Sequence, residues 1–202
     1  MHSNAPDTPG RAACRVLVRS EWWWSPVRYV EIRRHTDNDG DRLSPAGVAA
    51  AEEIGRSGLH PPYAVFVSTG AARANQTVEI LRAAVGQEDV PVLAETGLRS
   101  LVEDRWREGA KAAGTGDVES IRRVDPDLVE KETHLLGTAL RGVVERLPDG
   151  GRALVVGHSP TNEAAVLGLT GRSVPPLGKG EGVLVVEDQG TYAVEPLSGS
   201  TG

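Results

Sequence analysis

The chain has 202 residues, of which 39% are hydrophobic and 25% charged, as expected for a globular protein with one domain. Its net charge of -6 argues against a general nucleic-acid or anionic-membrane partner. Cys14 is the only cysteine, which excludes an internal disulfide and a Cys-rich metal site. No apolar run reaches the roughly 18 to 20 residues of a membrane helix, and the N-terminus lacks the apolar core of a secretory signal. We therefore expect a cytoplasmic protein.

The first 25 residues differ in character from the rest of the chain. Residues 2–10 are rich in Pro, Asn, Asp and Ser, a composition typical of disorder. Trp22, Trp23 and Trp24 follow, and three consecutive indoles cannot share one face of a strand or helix. We predict a flexible extension over residues 1–25 and a single domain over residues 26–198. The tryptophans are assigned to packing or disorder rather than to a function.

Strand and helix patterns alternate along the rest of the sequence. The predicted strands are residues 27–32, 63–67, 90–93, 153–156, 182–187 and 191–195. The predicted helices are residues 45–56, 71–85, 117–123, 126–147 and 161–169. Residues 95–115 are expected to form a loop and an irregular helix, and the last two strands to form a hairpin. This order predicts an α/β protein, a three-layer α/β/α sandwich whose mostly parallel central sheet has an antiparallel edge.

Two helices show their signals clearly. Ser44 is a good N-cap and Pro45 suits the first helical position, so the helix over residues 45–56 begins there. Its apolar spacing predicts a buried face made of Val48, Ala51 and Ile54. For the helix over residues 126–147 the predicted buried residues are Leu128, Leu135, Leu136, Leu140, Val143 and Val144.

Three predicted strands end in groups that suit an anion. The first ends in Arg34 and His35, the second leads through residues 68–70 to Arg73, and a later strand ends at His158. Because ligands bind at the carboxyl edge of parallel strands, these ends are expected to open into one pocket. Arg33 should point to the opposite side of its strand and be structural. His60 and His134 have no such setting and are assigned to the surface or to packing.

Two imidazoles with two guanidiniums suit a tetrahedral dianion. Arginine binds phosphate oxygens bidentately, and helix N-termini add backbone donors. A neutral histidine can attack phosphorus, while a second one donates a hydrogen bond to the phosphoryl oxygens. No metal is demanded, because cationic side chains can supply the charge that Mg²⁺ supplies elsewhere. A zinc site is the competing use of two histidines, but neighbouring guanidiniums would repel the ion.

The sequence resembles the histidine phosphatase superfamily, also called phosphoglycerate-mutase-like. The resemblance covers about residues 27–197 and rests on four motifs in the family's order: Arg34-His35, Leu43 to Gly47, Arg73 to Leu81, and Leu154 to His158. It implies that His35 is the phosphorylated nucleophile and that Arg34, Arg73 and His158 bind the phosphoryl group. It also implies that no cofactor is needed.

The chain departs from this family at two places near His35. Thr36 stands where the family usually has glycine, and the loop over residues 36–42 is shorter than in phosphoglycerate mutases. The short loop weakens a mutase interpretation. It fits the small phosphatase branch better, either broad-specificity phosphatases or phosphohistidine protein phosphatases.

The general acid is a third departure. The family commonly supplies a glutamate in a Leu-x-Glu segment, and counting along this chain reaches Ser100 instead. Glu103, three residues later, is our candidate, and Glu95 is the other. The acid would protonate the leaving alkoxide. A phosphoramidate such as phosphohistidine needs that proton less.

The sequence therefore predicts a metal-independent phosphatase that hydrolyses phosphomonoesters through phospho-His35, with His35, Glu103 and His158 as catalytic residues. The alternatives are a protein phosphohistidine phosphatase, a non-catalytic phosphate-binding member of the superfamily and, more weakly, a mutase. The expected partner is a phosphorylated small molecule or phosphoprotein, with no nucleic acid and no membrane. The oligomeric state is open, and a homodimer is one option. Residues 95–115 and 173–182 are expected to rim the pocket and to set specificity.

Overall fold

The computed structural model describes residues 27–197, and the predicted extension over residues 1–25, with Cys14 and the three tryptophans, lies outside them. The strands are β1 Arg28–Arg34, β2 Asn38–Asp39, β3 Arg42–Leu43, β4 Val65–Ser68, β5 Val92–Ala94, β6 Arg152–Gly157, β7 Gly182–Asp188 and β8 Thr191–Pro196. The helices are α1 Pro45–Ser57, α2 Ala72–Ala84, α3 Glu103–Ala113, α4 Val118–Val124, α5 Pro126–Glu145 and α6 Thr161–Thr170, with a 3-10 turn at Thr96–Leu98. Most predicted elements are confirmed, with ends shifted by one or two residues.

Six of the strands form one sheet in the order β5-β4-β6-β1-β7-β8. The first four are mutually parallel, β7 runs antiparallel to β1, and β8 runs antiparallel to β7. The short strands β2 and β3 form a separate hairpin. The predicted α/β class with an antiparallel edge is confirmed.

Helices cover both faces of the sheet. On one face, buried residues of β1, β4, β6 and β7 pack against α3, α4, α5 and α6. On the other, Phe66, Leu154 and Val156 pack against the apolar side of α2, with Ile54 of α1 alongside. Alternate buried residues of the central strands therefore contribute to the two cores, and the three-layer arrangement follows.

The buried face of α1 differs from the predicted one. Ser44 caps the helix as expected, since its side chain accepts the amide of Gly47. Val48, however, is 37% exposed. Ala51 is buried and Ile54 is half-buried, as predicted, but the rest of the buried side is formed by Gly47 and Gly55, because a Cβ at Gly47 would lie 1.8 Å from the carbonyl oxygen of Asp37. The helix approaches the loop after β1 too closely for a larger side chain.

Two further expectations are wrong. Leu135 of α5 is 51% exposed, because Leu135 and Leu136 are about 100° apart around the helix and only Leu136 faces the core. The second half of the segment over residues 95–115 is a regular helix, α3, rather than an irregular one. It ends at Gly114, whose φ of 69° is left-handed. Within residues 27–197, no helix combines the length and apolarity needed to cross a membrane.

Candidate active site

Strand register brings the predicted site residues together at the carboxyl edge of the sheet. β1 pairs with β6 so that Arg34 lies opposite Gly157, and the amide of His35 donates to the Gly157 carbonyl at 3.0 Å. β4 lies on the other side of β6. The rings of His35 and His158 consequently meet edge to face, with centroids 5.0 Å apart. His35 and His158 are distant in sequence, but they follow neighbouring strands, β1 and β6, and therefore lie together.

The contacts of His35 define its tautomer. The ring is 4% exposed, and Nδ1 lies 2.8 Å from the carbonyl oxygen of Thr36. A carbonyl only accepts, so Nδ1 carries the proton and Nε2 keeps its lone pair. Arg73 Nε donates to that Nε2 at 3.2 Å. Burial, together with the charges of Lys179, Arg73 and Arg34, lowers the pKa of His35 to about 4 against the opposing contact with Thr36. The ring is therefore neutral near pH 7.

His158 is the second imidazole of the cluster. Its Nδ1 lies 3.3 Å from the hydroxyl of Thr69. Its Nε2 is buried and has no hydrogen-bond partner among residues 27–197. Burial first, then the charges of Arg73 and other neighbours, lowers the pKa of His158 to about 3. When the Thr69 hydroxyl donates to Nδ1, the neutral ring carries its proton on the unpartnered Nε2.

The two predicted arginines differ in how they are held. Arg34 donates from Nη1 to the Leu177 carbonyl at 2.8 Å, while its buried Nε has no partner among the described residues. Arg73 forms an ion pair with Asp41 at 2.7 Å in addition to its contact with His35. The unpartnered donor of Arg34 fits an anion, since a buried N–H without an acceptor is costly.

Thr36 is accommodated without entering the cleft. The residue is fully buried, its amide donates to the Thr77 hydroxyl at 3.3 Å, and its own hydroxyl lies 3.4 Å from the same atom. Gly180 lies beside it, since a Cβ at that position would be 3.5 Å from the Thr36 methyl group, an ordinary contact distance. The side chain therefore packs against α2, and the Thr36 amide is engaged there.

The site opens into a cleft of about 450 Å³. Its lining residues are Arg34, Arg73, Arg99, Ser100, Glu103, Trp106, Arg107, Ala110, Gly116, His158, Ser159, Pro160, Thr161 and Pro176. Both stretches expected to rim the pocket contribute to it. The cleft is much larger than a phosphate group, so it has room for the rest of a substrate.

Of the two candidates for the general acid, the structure places only Glu103 on this cleft. Glu103 accepts from Arg99 Nε at 2.8 Å, and both side chains are about 40% exposed. Glu95 instead forms an ion pair with Arg146 at 2.6 Å and lines a different depression. Ser100, at the position where the resemblance expects a glutamate, is 5% exposed and also lines the cleft.

Two charged residues near the site, Glu163 and Lys179, were not predicted from the sequence. Glu163 is 1% exposed, and its Oε1 accepts from the Ser159 hydroxyl at 2.6 Å and the Leu177 amide at 2.7 Å. Burial raises its pKa. Lys179 lies close enough to His35 to lower its pKa. The available signals were a glutamate inside an apolar helix and the lysine within Gly178-Lys179-Gly180.

The other histidines of residues 27–197, His60 and His134, lie apart from the cleft. His60 has a side chain that is 63% exposed, with Nδ1 3.8 Å from a carboxylate oxygen of Glu31, and His134 is exposed on α5. Arg33 is buried and bonded to Glu31, in keeping with its predicted structural role. Within the described part of the chain, no group of three or more His, Cys, Asp or Glu residues is placed to hold a metal ion.

Comparison with solved structures identifies the fold class. A phosphoglycerate mutase from Bacillus anthracis superposes with a TM-score of 0.68 at 19% identity, covering 85% of this chain and 93% of its own. A phosphoserine phosphatase from Entamoeba histolytica gives 0.60 at 13% identity over 86% and 98% of the two chains. A mycobacterial glucosyl-3-phosphoglycerate phosphatase gives 0.54 at 17% identity over 86% and 100%. No family model and no curated protein matches the sequence.

These neighbours define a phosphoglycerate-mutase-like α/β fold. It is the fold that the resemblance to the histidine phosphatase superfamily implies. The resemblance drawn from the sequence motifs is thereby confirmed at the level of the fold.

Proposed function

We propose that the protein is a metal-independent phosphatase that hydrolyses phosphomonoesters through a phosphohistidine on His35. The observation that carries the proposal is the state of His35. Its Nδ1 is bound to the Thr36 carbonyl, and its Nε2 lone pair lies among Arg73, His158 and Arg34. This is the arrangement that a nitrogen nucleophile requires, with its proton held on one side and its lone pair directed at cationic groups.

In the first step, Nε2 of His35 attacks phosphorus. The new N–P bond forms as the ester P–O bond breaks, and the electron pair goes to the leaving oxygen. Glu103, in its protonated form, gives that oxygen a proton, which requires the carboxyl to leave Arg99. The Thr36 carbonyl continues to accept from Nδ1 and stabilises the positive charge that the ring gains.

The cations and His158 bind the phosphoryl oxygens during this transfer. Arg34 offers its unpartnered Nε, and Arg73 Nε releases His35 Nε2 as phosphorus approaches. His158 donates from Nε2 when Thr69 supplies a hydrogen bond to Nδ1. Donors fixed around the developing charge stabilise the transition state without reorganisation.

In the second step, a water molecule attacks the phosphohistidine. The water oxygen bonds to phosphorus, the N–P bond breaks, and its electron pair returns to His35 Nε2. The Glu103 carboxylate takes the proton of the water. Inorganic phosphate leaves, and both side chains regain their starting protonation states.

One observation favours a protein phosphohistidine phosphatase as the second candidate. Glu103 is partly exposed and bonded to Arg99, while Ser100 stands where the resemblance expects a glutamate. A site without a well-placed general acid suits a leaving group that is easily protonated, and the imidazole of a phosphohistidine is such a group. A phosphorylated small molecule and a phosphoprotein are thus both retained as substrate classes.

The test is a phosphoenzyme trap in the presence of a metal chelator. Wild-type protein mixed with a ³²P-labelled phosphomonoester and quenched in base should carry acid-labile, base-stable label. His35→Ala should carry none and should lose turnover at least about 10³-fold. His60→Ala is the matched control, because its side chain is exposed outside the cleft, and it should behave as wild type.

Three results would change the conclusion. Wild-type rates in His35→Ala would exclude the phospho-His35 mechanism. Loss of turnover on chelation would contradict metal independence. Substrate binding with neither phosphoenzyme nor released phosphate would point to the non-catalytic alternative.

Glu103→Gln separates the two substrate classes. Its turnover of an alkyl phosphate should fall by about 10²- to 10⁴-fold, the usual range for general acid catalysis, while that of a phosphohistidine peptide should change little. An equal loss on both substrates would assign Glu103 to binding rather than to proton transfer.

A further inference from the structure

Lys179 lies on a tight turn that is bonded directly to the strand end carrying the nucleophile. Gly180 donates its amide to the carbonyls of Arg34 and His35 at 3.2 and 3.3 Å. Arg33 donates from Nη1 to the Gly180 carbonyl at 3.1 Å. Gly180 has a φ of +78°, which a glycine adopts without strain, so the turn forms at this position. The position of the Lys179 backbone is therefore fixed relative to His35.

The same turn is closed from its other end. The amide of Gly178 donates to a carboxylate oxygen of Glu181 at 2.7 Å, and the Glu181 amide donates to the Gly178 carbonyl at 3.1 Å. The Glu181 carbonyl in turn accepts from the Arg34 amide at 2.9 Å. Between these anchors only the Lys179 side chain is left to move.

The ammonium group of Lys179 lies between a neutral amide and a carboxylate. It contacts the amide oxygen of Asn38 and lies 3.9 Å from a carboxylate oxygen of Asp37, and the side chain is 34% exposed. Burial and the charges of Arg34 and Arg73 lower its pKa, while the charge of Asp37 raises it. Positive groups close to one another repel, and an anion between them removes that cost.

The charge of Lys179 acts on the nucleophile together with two arginines. Besides burial, the charges of Lys179, Arg73 and Arg34 lower the pKa of His35. Arg73 Nε lies 3.2 Å from His35 Nε2, and the Lys179 turn is bonded through Gly180 to the same strand end. Lys179 thus belongs to the group of cations around the nucleophile.

We propose that Lys179 is a further phosphate-binding residue, whose Nζ leaves Asn38 and donates to a phosphoryl oxygen when a tetrahedral dianion binds beside His35. The proposal rests on the phosphate site of the proposed function but not on turnover. An ammonium on a four-carbon stem can move between acceptors while its backbone stays fixed. A hydrogen bond to a charged phosphate oxygen is stronger than one to a neutral amide, so the exchange is favourable.

A purely structural role makes a different prediction. If Lys179 only ties the turn to the β2 strand, removing either partner of the Lys179–Asn38 contact should have the same effect. If Lys179 binds phosphate, Asn38 competes with the ligand, and the two removals should act in opposite directions.

The experiment is a titration with inorganic phosphate, in which binding is measured by calorimetry or by ³¹P NMR. Lys179→Met should bind phosphate about 10- to 100-fold more weakly than wild type, the equivalent of one lost hydrogen bond between charged groups. Lys179→Arg should recover part of the loss. Asn38→Ala should bind phosphate at least as tightly as wild type. Lys131→Met, which alters an exposed lysine of α5, should match wild type, and thermal melts should show that all variants fold.

Three results would overturn the proposal. The first is a phosphate affinity of Lys179→Met equal to that of the wild type, and the second is an equal loss of phosphate affinity in Lys179→Met and Asn38→Ala. The third is a wild type that does not bind phosphate at millimolar concentration. The trap on His35 reports separately. If the wild type forms phosphoenzyme normally and Lys179→Met binds phosphate as tightly as the wild type, only the role of Lys179 is rejected. If His35→Ala keeps its turnover and Lys179→Met binds phosphate more weakly, only the phospho-His35 mechanism is rejected.

Discussion

The two sides of β1 use similar residues for opposite purposes. On the α1 side, Arg33 donates from Nε to Glu31 at 2.7 Å, from Nη1 to the Gly180 carbonyl and from Nη2 to the Gly58 carbonyl. The other oxygen of Glu31 accepts from the Tyr63 hydroxyl at 2.6 Å. On the α6 side, Arg34 and His158 each keep a buried nitrogen without a partner among residues 27–197. One network is closed, and the other has free donors.

This difference separates an arginine whose donors are all paired within the protein from one that keeps an unpaired donor among residues 27–197. Strand alternation places Arg33 and Arg34 on opposite faces, with Arg33 buried and Arg34 half-buried. The distinction lies in whether the donors are satisfied within the protein. Buried polar groups are nearly always paired, so unpaired donors beside a cleft indicate a ligand site.

The largest effect is expected from breaking the closed network, which is the set of hydrogen bonds that joins Arg33, Glu31 and Tyr63. Glu31→Gln leaves the buried guanidinium of Arg33 without its counter-charge, which should lower the free energy of unfolding by about 3–5 kcal/mol. Urea denaturation measures this. Glu53→Gln removes an exposed pair with Arg56 and should cost at most about 1 kcal/mol. Equal effects in the two variants would mean that the network is not closed as described.

Disrupting the open network should affect chemistry instead of stability. Arg34→Gln removes an unpartnered donor, and kcat/KM should fall by about 10²- to 10³-fold, as for loss of one transition-state donor. Arg107→Gln is the control on the same cleft, because Arg107 is 74% exposed and paired with Asp104. Its kcat/KM should stay within about threefold of wild type. A large stability loss in Arg34→Gln without a kinetic loss would place Arg34 with Arg33.

The two histidines of the open network predict how stability varies with pH. Their folded-state pKa values, about 4 for His35 and about 3 for His158, lie below the unfolded value of 6.5. The unfolded state therefore binds more protons between pH 6.5 and 4, so stability falls as the pH is lowered through this window. Each histidine contributes a slope of up to about 1.4 kcal/mol per pH unit.

Urea midpoints between pH 7 and 4.5 test this dependence. His158→Gln should lose about half of the histidine-dependent slope, whereas His134→Gln, on the exposed side of α5, should keep it. A slope in His158→Gln equal to that of wild type would mean that His158 is not buried in its neutral form.

The smallest effect is expected at Thr36. Thr36→Gly removes the hydroxyl contact with Thr77 and should cost about 1 kcal/mol of stability. Since the Thr36 amide donates to Thr77, kcat/KM should change by less than about threefold. A gain of tenfold or more would show that the threonine obstructs the site. Stopped-flow kinetics with a chromogenic phosphomonoester provides the measurement.

The parts of this structure that could be predicted depended on local signals. Arg34, His35 and His158 follow apolar strands, and strand ends converge in a parallel sheet whatever the details of packing. The burial of Gly47 in place of Val48 on α1 could not be predicted, because it depends on close contact of Gly47 with a loop. Helix α3 begins after Val102, which makes no side-chain cap hydrogen bond, so its start carries no local N-cap signal.

The missed residues of the site depend on tertiary contacts in a similar way. The turn that carries Lys179 lies beside His35 because Gly180 bonds to the end of β1, and the glycines on either side of Lys179 indicate a turn but not this contact. Glu163 lies in an apolar helix, and its partner Leu177 belongs to a segment without regular structure. Pairings of this kind depend on how loops return to the sheet.

The adjacency of β1 and β6 also has a kinetic consequence. These strands lie far apart in the chain, yet the two imidazoles meet only when they pair in register. Contacts between distant segments form slowly, because a long loop must close first. A partly refolded chain can regain helices without bringing His35 to His158. Recovery of phosphate binding during refolding would therefore time the closure of the central sheet, which helical circular dichroism does not resolve.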